Sequence, residues 1–150
     1  MCTLEKSGGI FLLTINGLDE HRVNPALISS LRSSLRQARD QSTRGCALVT
    51  KHQGKQVLLQ RLRHRVGPVR GRPGGGTAYD HLVKLSELYG PVVADFVSLP
   101  MPTIAAVTGH AAAAGLMLPL SHDYVLMKGD RGVMYFSELD WGKCSVSFKN

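Results

Sequence analysis

The chain has 150 residues, 43% of them apolar and 19% charged, with a formal net charge of +7. That length suits one domain with a real core, and the balance of apolar and charged residues excludes a disordered or fibrous chain. There is no apolar run of the roughly 18 residues a membrane span needs, no basic-then-apolar opening of a secretory signal, and no metal or disulfide spacing among Cys2, Cys46 and Cys144, so an intracellular protein with reduced thiols is expected.

Taken in order, residues 3–6 and 10–15 are short β-favouring runs on either side of Ser7-Gly8-Gly9, the composition of a hairpin. Asn16-Gly17 marks a turn. Asn24-Pro25 supplies a helix cap and a first-turn proline, after which Leu27, Ile28, Leu31, Leu35 and Ala38 recur at helical spacing with Arg32, Arg36 and Arg39 between them. The spacing predicts an amphipathic helix of about four turns. A polar loop at 41–45 then leads into residues 46–50, short and apolar enough for a buried strand with Cys46 in the core.

The texture changes at Lys51. Seven basic residues (Lys51, Lys55, Arg61, Arg63, Arg65, Arg70 and Arg72) occur with no acidic residue among them, which leaves 11 basic against 11 acidic in the rest of the chain. The bulky and basic residues of 57–66 follow no clean period, and Gly67-Pro68, Gly71 and Pro73-Gly74-Gly75-Gly76 break any regular element, so an irregular loop is expected. Clustered cations attract phosphates, but this segment has no aromatic residue for base stacking, and nucleic acid is not the expected partner.

Order returns at Tyr79. Leu82, Val83, Leu85, Leu88, Val92, Val93, Phe96 and Val97 thread onto helical turns as far as Leu99, with Gly90-Pro91 expected to kink or divide the helix. Pro100-Met101-Pro102 enforces an extended connection into a strand at 103–107. Thr108-Gly109 then gives way to small residues with Gly115 among them, and a helix is expected to end near Ser121-His122, followed by strands at 124–127 and 133–136 around a turn at 128–132. Strands alternating with helices define an α/β fold.

The strand–turn–helix at 103–120 is the stretch that carries chemistry. Small residues at such a turn let a ligand approach the backbone, and unpartnered N–H groups at a helix start can face an anion. Two readings stay open on composition alone: an oxyanion or phosphate cradle, and an Ala-rich helix packed tightly on a strand.

Pro100-Met-Pro-Thr-Ile-Ala-Ala-Val-Thr-Gly-His-Ala-Ala-Ala-Ala-Gly115, with Ser121-His-Asp-Tyr-Val125, resembles the enoyl-CoA hydratase/isomerase (crotonase) superfamily, and within it plant peroxisomal Δ3,Δ2-enoyl-CoA isomerases. The resemblance covers residues 1–50 and about 78–142. It implies a crotonase-like ββα-repeat spiral core forming one partial domain over 1–150, incomplete at its C-terminus, with 51–77 divergent. It also implies a fatty acyl-CoA substrate, no separate cofactor because coenzyme A is part of that substrate, and no metal.

The implied chemistry is proton transfer next to a thioester carbonyl, whose enolate oxygen must be held by backbone N–H donors. Matching the motif residue by residue puts one donor at Ala113, flanked by Ala112 and Ala114, with Gly109 and His110 leading into the turn. Glu138, in Phe136-Ser-Glu-Leu-Asp-Trp-Gly142, matches the family carboxylate that moves the proton from C2 to C4. Hydratases of the superfamily position water with a second glutamate two residues beyond the small-residue turn; Met117 stands there instead, which argues for isomerase. Apart from the resemblance, the favoured readings are Met117 as an apolar core residue and Glu138 as a surface carboxylate. Tyr135 and Trp141 are candidates to line the acyl pocket, with core packing the simpler account, and His122-Asp123 is structural in the family.

Two departures matter. The family's other donor follows the third strand in a Gly-Lys-Phe-Phe-Ser-Asn-Gly-Phe-Asp-Leu-like motif, of which only Gly54-Lys55 remains, a pattern that suggests a compensated frameshift or altered splice. About the last third of a usual member, which closes the pocket and builds trimers or hexamers, is replaced by residues 143–150. The family's compartment is the peroxisome, but residues 148–150 are no Ser-Lys-Leu-type signal, which leaves the cytoplasm as the alternative. Weak or absent isomerase activity is therefore expected, with a hydratase-like enzyme or a non-enzymatic basic module at 51–72 as alternatives.

Overall fold

The computed structural model describes residues 1–16, 25–53, 78–112, 114–130 and 132–136. The elements run β1 (Cys2–Ser7), β2 (Ile10–Ile15), α1 (Pro25–Asp40), β3 (Ala47–His52), α2 (Ala78–Val97), β4 (Thr103–Val107), β5 (Ala111–Ala112), α3 (Ala114–Leu120), β6 (Tyr124–Met127) and β7 (Met134–Tyr135). Five strands form a sheet in the order β1-β2-β3-β4-β6, and β5 pairs with β7 in a separate two-stranded ribbon.

β1 and β2 are antiparallel, with Ser7 opposite Ile10, so only Gly8-Gly9 lie in the connection. Gly8 has φ +57°, the left-handed conformation that two-residue hairpins require at the first central position and that glycine adopts without steric cost. The other pairings in this sheet are parallel. α1 and α2 supply the crossovers that parallel neighbours need.

Register explains the core. Phe11 pairs with Leu48 and Leu48 with Thr103; one step further along, Leu13 pairs with Thr50 and Thr50 with Ala105. All of these are buried, so one face of the sheet is turned inward. α1 covers it with Leu27, Ile28, Leu31, Leu35 and Ala38, the residues whose helical spacing is visible in the sequence, and α2 adds Tyr89, Val92 and Phe96. Full burial of each large apolar side chain is worth about 1.5–3 kcal/mol. The two helices are tied together by Arg32, whose Nε lies 2.7 Å from Asp95 Oδ2.

At Gly90-Pro91 the helix is not divided: α2 runs from Ala78 to Val97 with Pro91 inside it. A proline forfeits one backbone hydrogen bond and crowds the preceding turn, but buried Tyr89 and Val92 flank it and Phe96 follows one turn later, so packing on both sides outweighs the local defect. Cys46 is buried as expected, though just outside β3, where its Sγ lies 3.2 Å from Thr43 Oγ1.

Candidate active site

All the parallel strands present their carboxyl ends at one edge, which is where open α/β sheets bind ligands. β4 reaches that edge at Val107 and the chain turns through Thr108, Gly109 and His110. Next comes a strand, not yet a helix. β5 is Ala111–Ala112, pairing with Met134 and Tyr135 of β7, and α3 starts only at Ala114. A two-residue strand is too short to show a period, and alanine side chains are small enough to let β7 lie against it.

The turn is built on a second, smaller core of Val107, Ala111 and Leu116, backed by Val125 and Met127. Two backbone bonds hold its frame: the Ala111 N–H donates to the Val133 carbonyl at 2.9 Å, and the Lys128 N–H to the Val107 carbonyl at 3.0 Å. Gly109 is buried, Ala112 half-buried and His110 exposed. Ala113, Glu138 and Trp141 lie outside the described residues, and Ala114 is described only as the first residue of α3.

Met117 is 46% exposed on α3, which removes the core-filling account of that residue. Tyr135 is 41% exposed, so it is not a core residue either. The structure thus groups Gly109, His110, Ala112, Ala114 and Met117 on one strand–turn–helix.

Asp123 of the His122-Asp123 pair clamps the amino ends of β4 and β6, at the edge of the sheet opposite the turn. The Asp123 carboxylate Oδ2 accepts from the Thr103 N–H at 2.7 Å and from the Thr103 hydroxyl at 2.8 Å, while the Asp123 N–H donates back to Thr103 Oγ1 at 2.9 Å. These donors hold the carboxyl below its ordinary range, the Thr103 backbone N–H contributing most. The clamp closes the 103–123 loop that contains the turn.

Buried beside it, His122 has Nδ1 2.9 Å from the Leu118 carbonyl and Nε2 2.8 Å from Thr50 Oγ1, with its ring 4.3 Å from that of Phe96. A carbonyl can only accept, so Nδ1 carries the proton and the neutral ring accepts from Thr50 at Nε2. Burial lowers the histidine pKa against the raising effect of the Leu118 carbonyl. Both residues of the pair are spent on structure, as the resemblance implies.

Neither Thr50 as the partner of His122 nor Thr103 as the partner of Asp123 was legible in the sequence. A lone Thr in an apolar strand carries no local signal of its partner, which lies 72 residues away for Thr50. Among the described residues no group of three or more His, Cys, Asp or Glu side chains could hold a metal ion.

This arrangement defines a crotonase-fold protein. An enoyl-CoA hydratase structure from Bacillus anthracis superposes with a TM-score of 0.75 over 93% of this chain and 52% of that one, at 16% identity. An enoyl-CoA hydratase/isomerase family protein from Silicibacter pomeroyi does so with a TM-score of 0.70 over 95% of this chain and 56% of that one, at 23% identity. No family model matches the chain.

The chain belongs to the enoyl-CoA hydratase/isomerase (crotonase) superfamily, and its similarity to enoyl-CoA delta isomerases is high. It is 51% identical over 142 residues to the peroxisomal enoyl-CoA delta isomerase 2 of Arabidopsis thaliana, covering 95% of this chain and 58% of that protein. It is 48% identical over the same length to enoyl-CoA delta isomerase 3 of that plant, with the same two coverages. The 1,2-epoxyphenylacetyl-CoA isomerase of Escherichia coli strain K12 is 32% identical, over 87% of this chain and 49% of that one. The chain therefore spans about half to three-fifths of the length of these relatives.

Proposed function

We propose that the chain carries half of the site of a Δ3,Δ2-enoyl-CoA isomerase, acting on fatty acyl-CoA thioesters in the β-oxidation of unsaturated fatty acids. The observation that carries this reading is the strand–turn–helix at 103–120, with exposed Met117 where a hydratase needs a carboxylate to position water. Identity of about half to enoyl-CoA delta isomerases supports it.

In this mechanism Glu138 removes a proton from C2 of a 3-enoyl-CoA, and the electron pair moves onto the thioester oxygen, which the Ala113 N–H stabilises. As the enolate collapses, the C3–C4 double bond takes up the same proton at C4, and the new double bond lies between C2 and C3. Gly109, His110, Ala112 and Ala114 shape the approach of the thioester to the backbone, and Met117 and Trp141 line its acyl side. No group outside the substrate is needed, because coenzyme A arrives with it.

The divergent segment 51–77 lacks the motif that gives the family its second donor, and loss of one donor lowers the rate about 10²–10³-fold. Weak turnover is therefore part of the proposal, as is residence in the peroxisome, the location named for two of the Arabidopsis relatives.

The test is to incubate the purified chain with a 3-enoyl-CoA and follow the 2-enoyl product. Slow turnover abolished by Glu138→Gln is the expected result. Faster hydration of a 2-enoyl-CoA than isomerisation of the 3-enoyl substrate would replace this reading with a hydratase. Neither activity, together with RNA binding that weakens steeply with salt, would make the basic 51–72 segment the functional part.

A further inference from the structure

We propose that two copies of this chain join side by side at β6, antiparallel about a twofold axis at Leu126, so that their two sheets become one continuous sheet.

Among the described residues β6 pairs only with β4 and forms one lateral edge of the five-stranded sheet. The Lys128 N–H donates to the Val107 carbonyl, and Val107 aligns with Met127. In a parallel ladder that register also turns the N–H and C=O of Leu126 toward β4. Backbone groups alternate sides along a strand, so the N–H and C=O of Val125 and of Met127 face away from β4, toward the open edge.

Three observations favour the same strand of a second copy as the occupant of this edge. The first is self-complementarity. With Leu126 opposite the partner's Leu126, Val125 falls opposite the partner's Met127 and Met127 opposite the partner's Val125. Each of these two pairs exchanges two N–H···O=C bonds, and every outward backbone group of Val125 and Met127 is used.

The second is the character of the side chains. Val125 aligns with buried Ala105, so its neighbours Tyr124 and Leu126 lie on the opposite face of the sheet, where each is 64% exposed. β6 reads Tyr-Val-Leu-Met, with no charge. At the other lateral edge β1 carries Glu5 and Lys6, the kind of residue that guards an edge strand against pairing.

The third is electrostatic. Lys128 falls opposite the partner's Tyr124, about 14 Å from the partner's Lys128 at ~3.4 Å per residue, beyond the ~8 Å over which exposed charges act at physiological salt. Its Nζ also lies 3.1 Å from Asp130 Oδ2, so the cation beside the edge is already paired. One short strand makes a small interface, and the dimer is expected to form and dissociate with concentration.

The experiment is sedimentation velocity on the full chain over a roughly 100-fold range of concentration, with amide hydrogen exchange at both ends of that range. A monomer–dimer equilibrium is expected, with the Val125 and Met127 amides exchanging at least ~10-fold more slowly in the dimer and the Leu126 amide, already bonded to β4, changing less. Leu126→Lys and Leu126→Glu each set like charges ~5 Å apart across the axis, so each alone should be monomeric. Mixing the two should restore a dimer containing one copy of each. Leu126 is exposed, and unchanged urea midpoints verify that both variants fold. Ile10→Lys, at a 48% exposed position on β2, should dimerise like the unmodified chain.

A chain that stays monomeric throughout overturns the proposal, whether its Val125 and Met127 amides exchange freely or are covered by another part of the same chain. A dimer that persists in Leu126→Lys, or that Ile10→Lys abolishes, places the contact elsewhere and overturns it as well. So does a mixture of the two charged variants that fails to dimerise. The exchange readout needs no variant and decides the matter even where a substitution unfolds the chain.

Discussion

Replacing Thr103 by valine removes one oxygen from the clamp between the amino ends of β4 and β6 at nearly constant volume. Two bonds disappear, the hydroxyl donation to the Asp123 carboxylate and the donation of the Asp123 N–H to that hydroxyl, while the Thr103 N–H keeps the carboxylate at 2.7 Å. A hydrogen bond to a charged group contributes about 1.5–3 kcal/mol, and a buried donor left unpaired costs about 1–3 kcal/mol. Thr103 is only 2% exposed, but Asp123 is exposed, so water takes over part of what the aspartate loses. The expected destabilisation is therefore about 2–3 kcal/mol, near the lower part of the summed range. For a domain of this size that lowers Tm by roughly 4–12 °C.

Thr103→Ser is the control, because it keeps both bonds and loses one methyl group, worth about 1 kcal/mol. Urea titrations of the three proteins decide the matter. A valine variant as stable as the serine variant, or more so, would show that the clamp contributes packing and not hydrogen bonding, and would refute the account given for it.

Because burial lowers the His122 pKa, the unfolded chain binds a proton there at a pH where the folded chain does not. Stability is then full above about pH 6.5 and falls as pH drops through that region, by at most about 1.4 kcal/mol per pH unit; the slope should flatten in His122→Gln, and an unchanged slope there would assign the titration elsewhere. Met117→Glu should alter stability by no more than about 0.5 kcal/mol, since that side chain is half exposed. A large loss of stability on chemical denaturation would show that Met117 packs in the fold after all.

Much of the scaffold was legible because it follows local rules. The 3.6-residue spacing of Leu27, Ile28, Leu31, Leu35 and Ala38 named both α1 and its buried face, and Ser7-Gly8-Gly9 named the hairpin. β5 and the continuity of α2 were not legible, since one is two residues long and the other depends on the burial of Tyr89, Val92 and Phe96 around a proline.

By itself, then, the sequence determined the α/β class, the order of the main elements, the small-residue turn after β4 and the superfamily, all properties of residue pattern and motif. Only the tertiary structure decided what the His122-Asp123 pair is for and that Met117 is exposed. The first depends on atoms distant along the chain: Thr103 for Asp123, and Thr50 and Phe96 for His122. A one-dimensional pattern records which side chains are present, whereas the partner of each is set by what folding packs against it.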